Sequence, residues 1–160
     1  MSVKISSLIA AMILTSGLGA GIALAQDAPE ADAAIANAIK ARQSHMRLNE
    51  FNLGALGAIA QERVPYDAER AVAAASNLLA LARFSHAGYW PEGSDAQSVQ
   101  GTRAMPSLWL DAEGVSARIS ALIEAAEAMQ TAAGTDLAAL QGAMGPLSEA
   151  CGACHAAYRQ

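Results

Sequence analysis

Cys151-Gly152-Ala153-Cys154-His155 is the segment whose residue types and spacing could do chemistry. On a helix, residues three apart lie on adjacent turns of one face. Two thiols so placed can each add to a vinyl group of a haem and leave thioethers. C-x-x-C-H is the attachment pattern of c-type haem. His155 then projects under the ring, where an imidazole can bind iron as the proximal ligand. Gly152 and Ala153 are small enough to leave room for the edge of the macrocycle.

Three other readings compete. The pair could be half of a zinc site, but no second Cys or His pair completes four ligands. It could be a thioredoxin-type dithiol, but no βαβ pattern surrounds it. It could also be a structural disulfide or a chance match. The two cysteines are the only ones in the chain, and an exported, all-helical context favours haem.

The elements around the motif read as helices. Ile35, Ile39, Met46 and Leu53 recur on one face of a first helix, from Ala31 to about Gln61, after a polar lead-in holding Pro29. Val64-Pro65-Tyr66 breaks it. Asp67 can cap a second helix that carries Val72, Ala75, Leu79 and Ala82. Ser85 to Ala104 is irregular. A third helix starts near Pro106 or just after Asp111 and runs through Val115, Ile119, Leu122, Ala126 and Met129. Gly134 stops it, in the position of a C-terminal cap. Thr135 or Asp136 caps the fourth, with Leu137, Leu140, Met144, Leu147, Cys151, Cys154 and Tyr158 on its stripe. No segment alternates as a strand. The expected class is all-α, an antiparallel up-down-up-down four-helix bundle.

Residues 1–25 read as a signal peptide: Lys4, an apolar run from Ile5 to Leu18, then Ala23-Leu24-Ala25 as a cleavage site. Residues 26–160 are then the mature domain, and the expected compartment is the periplasm. Of 160 residues, 40 are alanine and seven aromatic, and the net charge is −5. No basic cluster suits duplex nucleic acid. No later window is long and apolar enough to span a bilayer. No acid–base dyad, Ser/His arrangement or phosphate loop points to an enzyme. So much alanine fills volume poorly, and a covalently bound haem would supply the missing large apolar group.

Whole-chain marks resemble the class II c-type cytochromes, the cytochrome c′ family. They are Arg42-Gln43 with Met46 four residues after the arginine, Leu53-Gly54-Ala55-Leu56-Gly57-Ala58, and Pro65-Tyr66-Asp67-Ala68. Trp90-Pro91-Glu92-Gly93-Ser94-Asp95, Pro106-Ser107-Leu108-Trp109 and the C-terminal haem motif followed by Tyr158-Arg159 complete them. The resemblance implies one haem c held by Cys151 and Cys154, export, and homodimers in many members. It implies that Met46 points at the distal face of the haem, as sixth ligand in a low-spin protein. An unbound Met46 would leave a site for nitric oxide or carbon monoxide. It also implies that Arg42 and Gln43 neighbour a propionate and that Arg159 lies beside the proximal histidine.

On the helical wheel Met46 falls within about 20° of Ile35, Ile39 and Leu53, which predicts an inward side chain. It could equally only pack there. His45 is a rival ligand, but it sits about 100° away, toward Asn52 and Leu56. His86 falls in the irregular segment. Trp90, Trp109 and Tyr158 read as packing. Gly54 and Gly57 admit close approach, in the pocket or at a dimer interface. The expected partners are a periplasmic redox protein or a small gas molecule, with the chain as a homodimer or a monomer.

Overall fold

The structure, a computed structural model, describes residues 24–160, with side chains from Glu30 onward. The expected signal segment therefore lies outside the described residues up to residue 23. Five helices follow: α1 (Leu24–Ala60), α2 (Ala68–Ala82), α3 (Ser107–Leu110), α4 (Ala112–Ala133) and α5 (Leu137–Tyr158). The long ones, α1, α2, α4 and α5, pack as neighbours in a ring, α1 on α2, α2 on α4, α4 on α5 and α5 on α1. That is the up-down-up-down arrangement.

Helix starts are set by carboxylates. The side chains of Asp67, Asp111 and Asp136 accept the backbone N–H three residues on in α2, α4 and α5. Both starts considered for the third helix occur, because α3 is a single turn ahead of α4. Three details differ from expectation. The first helix begins at Leu24 and runs through Pro29. The proline there removes one bond, to the carbonyl four residues back, and the chain continues. The same helix ends in a turn where Arg63 N–H bonds Ala58 O and Glu62 N–H bonds Ile59 O. Glu62 takes the left-handed conformation in that turn, ahead of Pro65. Gly134 is the C-cap of α4 with φ −90°, a right-handed conformation, so its backbone freedom is not what ends the helix.

The core sits toward one end of the bundle. Leu56 and Ile59 of α1, Ala71 to Leu79 of α2, Ala126 to Ala133 of α4 and Leu140 and Leu147 of α5 form it. Ala71 and Ala75 on α2 and Ala126 and Ala133 on α4 are fully or nearly fully buried, so small side chains work here by letting two helices approach closely. Leu56, Met129, Leu140 and Leu147 supply the volume. The C-x-x-C-H motif lies toward the opposite end, where the α2–α3 connection crosses.

The buried stripe of α1 differs from the one its apolar residues suggest. It runs through Ala38, Arg42, His45, Asn52, Leu56 and Ile59, with Ile39 of the expected face buried beside Ala38. Those spacings of three, four and seven form one face, and its middle is polar. Met46 lies off this stripe and is 44% exposed. Ile35 and Leu53 are half-buried. Met46 is therefore not part of the protein's own core. Burial on α1 follows what stands opposite, and opposite this face stand α2 and the folded-back connection.

Candidate haem-binding site

On α5 the inner stripe is Leu140, Met144, Leu147, Cys151, Cys154 and Tyr158, spaced alternately by four and three. Leu140, Leu147 and Tyr158 are buried and the two cysteines half-buried. Both cysteines are free thiols. Burial pushes each thiol above its ordinary proton affinity. Cys154 adds to the effect on Cys151, and Arg118 opposes it on Cys154. A reactive dithiol of the thioredoxin kind needs the opposite shift, toward thiolate. Among the described residues no group of three His, Cys, Asp or Glu could hold a metal ion, so a zinc site lacks its remaining ligands. Two protonated thiols on the bundle-facing stripe, one turn apart, fit thioether attachment to haem.

His155 follows on the flank of that stripe and is exposed. Partial screening from water lowers its proton affinity, and the charges of Arg159 and Arg103 lower it further. A neutral imidazole is the ligating form. Arg159 thus lies near enough to act on the imidazole. Its guanidinium is exposed, and its backbone caps α5 by donating to His155 O at 3.0 Å.

Register relates Met46 to His155. Gln141 Nε2 donates to Ala60 O at 2.8 Å, which pins α5 to α1. A Cβ on Gly57 would sit 3.9 Å from Met144 Cε, a second contact in the same register. The two helices are antiparallel. Fourteen residues back from Ala60 stands Met46, and fourteen on from Gln141 stands His155. At about 1.5 Å per residue both lie some 21 Å along from the same contact. The methionine and the histidine therefore share a level of the bundle.

Arg42 and Gln43 are engaged by the protein itself. Arg42 is 4% exposed. Its Nη1 donates to Ser94 Oγ at 2.8 Å and Tyr89 O at 3.2 Å. Its Nη2 donates to Thr102 Oγ1 at 2.7 Å and to Ser94 O. The guanidinium carbon lies 4.7 Å from the centre of the Trp90 ring. Gln43 Nε2 donates to Gly101 O at 2.7 Å, where Gly101 takes a positive φ of 85°. Both residues fasten the connection between α2 and α3 onto α1. Of the five Arg42 N–H groups only the one on Nε is left for a propionate.

The histidine alternatives settle elsewhere. His45 is buried against Phe84, His86 and Tyr89, with ring centres 5.2–6.0 Å apart. That cluster closes the start of the connection. Trp90 and Trp109 meet edge to face at 6.1 Å, and Trp109 Nε1 donates to Trp90 O at 3.0 Å. Tyr158 packs as expected, but its hydroxyl also donates to Asp111 Oδ2 at 2.6 Å. The sequence pattern holds no signal for that bond, because the partners are 47 positions apart. Gly54 meets no neighbour, whereas Gly57 faces α5.

A family model described as Cytochrome C′ matches residues 37–159. Cytochrome c-554 from Cereibacter sphaeroides is 47% identical over 152 residues, covering 95% of this chain and 97% of its own. A cytochrome c′ structure from Rhodobacter sphaeroides is 34% identical with a TM-score of 0.76, covering 78% of this chain and 96% of its own. A carbon monoxide-bound variant of cytochrome c′ from Alcaligenes xylosoxidans is 28% identical with a TM-score of 0.68, covering 79% and 96%.

Proposed function

Since the chain belongs to the cytochrome c′ family, whose members bind one covalent haem c, we propose that it is an exported electron carrier with His155 and Met46 as the axial ligands. The haem, when bound, supplies the one-electron couple. Cys151 and Cys154 tether it to α5, and the low proton affinity of His155 keeps a nitrogen lone pair available. Met46 offers a soft thioether, and Met/His ligation raises a haem potential. The observation that carries this reading is the shared level of Met46 and His155 on antiparallel helices. Export rests on the signal-like residues 1–25.

A second reading has Met46 unbound and a small gas at the distal side. The carbon monoxide-bound relative belongs to the same family. An absorption spectrum of the mature protein decides. Haem that resists acid–acetone extraction supports attachment through Cys151 and Cys154, and a colourless protein refutes both readings. A low-spin spectrum with a sulfur-to-iron charge-transfer band is the expected result. Met46→Ala should convert it to high spin and lower the potential. A wild-type spectrum that is already high-spin and readily altered by carbon monoxide rejects Met46 ligation.

A further inference from the structure

We propose that Tyr158 is a positioning residue for His155, acting through a hydroxyl bond to Asp111 that ties the last turn of α5 to the first turn of α4. The inference rests on His155 being the proximal ligand. Among the described residues no hydrogen bond reaches the His155 imidazole. Metal-bound histidines usually donate their second N–H to a carbonyl or carboxylate, which fixes the ring. Here the orientation of the imidazole must come from the turn that carries it.

That turn is the last of a helix, where frayed ends and unpaired carbonyls are the rule. In this protein it is held at several points. Met105 N donates to Tyr158 O at 2.9 Å, and Gln160 N donates to Arg103 O at 2.9 Å. Ser107 Oγ donates to Ala157 O at 3.2 Å. All three engage the backbone at the end of α5. The tie made by a side chain of the turn itself is Tyr158, buried three residues after His155 on the adjoining face. Asp111 serves both helices. One oxygen accepts the Tyr158 hydroxyl, and the other accepts Gly114 N at 2.9 Å as the N-cap of α4.

The helix start is shaped for this bond. A Cβ on Gly114 would collide with both the Asp111 carboxylate and the Tyr158 hydroxyl. Glycine early in a helix costs stability relative to alanine. Here that cost admits the phenol. The hydrogen bond in turn holds the Asp111 carboxyl below its ordinary range and raises Tyr158, so donor and acceptor keep their roles around neutral pH.

The test compares holoprotein with Tyr158→Phe, Asp111→Ala and the double variant. Covalent haem content is measured first, by pyridine haemochrome. Three readouts follow: the hyperfine-shifted ring protons of His155, the reduction potential, and amide exchange over residues 155–158. Tyr158→Phe keeps the buried ring and should speed exchange about tenfold, as loss of one bond to a carboxylate implies. It should also move the His155 resonances and the potential. Asp111→Ala should reproduce those shifts, and the double variant should add nothing to them. Unchanged His155 resonances and potential in Tyr158→Phe, with full haem content, overturn the proposal and leave a purely structural tie. Independent, additive shifts from the two single variants overturn it as well. A wild-type protein without His155 hyperfine shifts refutes the proximal assignment itself.

Discussion

Replacing Arg42 by lysine isolates the geometry of the guanidinium from its charge. The arginine reaches four acceptors on the α2–α3 connection from two nitrogens and lies over Trp90. A lysine ammonium is a single point and cannot span Tyr89, Ser94 and Thr102 together. Two or three bonds from a charged donor are therefore lost, each about 1.5–3 kcal/mol in isolation. They are not additive, and the ammonium or water recovers part of them. The expected loss is about 2–4 kcal/mol, large for a single substitution. For a domain of this size that lowers the melting temperature by roughly 6–12 °C. Urea unfolding followed by far-ultraviolet circular dichroism gives the free energy. Limited proteolysis between residues 85 and 104 should accelerate in parallel, because the connection loses its anchor. An unchanged urea midpoint with unchanged cleavage would refute the assignment of Arg42 as the clamp. It would return the residue to the propionate role.

Other substitutions test other parts. Leu140 is fully buried in the core, and Leu140→Ala should cost about 2–5 kcal/mol in a urea titration. Burial holds His45 and His86 below the ordinary value of 6.5, and His86 lowers His45 further. The unfolded chain takes up those protons near 6.5 and the fold resists. Stability is then complete above that pH and declines as pH falls through the lowered folded values. His86→Gln should flatten urea midpoints measured from pH 8 to 5, and an unaltered slope would exclude this pair. Leu48 and Phe51 on α1 and Phe84 just beyond α2 are exposed, a surface suited to a second copy. Phe51→Glu should shift sedimentation to the monomer, and an already monomeric wild type would show that this face stays free.

The amino-acid sequence by itself determined the four long helices, the cap at Asp67, the thiols on the inner stripe of α5, and a choice of two positions each for the starts now fixed at Asp111 and Asp136. These are local matters. A cap acts over three residues and a helical face over seven, so the pattern is readable along one element. The sequence also suggested a core too poor in volume. The tertiary structure sharpened this: buried alanines let α2 and α4 close up at one end, and the thiols face inward toward the other.

Only the tertiary structure decided which face of α1 is buried. Its seam carries Arg42, His45 and Asn52, polar groups that are costly to bury alone. Distant partners offset the cost for two of them. Ser94 and Thr102 serve Arg42 across 52 and 60 positions, and Asn77 Nδ2 donates to Asn52 Oδ1 across 25. The bond from Tyr158 to Asp111 and the common level of Met46 and His155 are of the same kind. They depend on how helices stand beside one another, which no stretch of a single helix encodes.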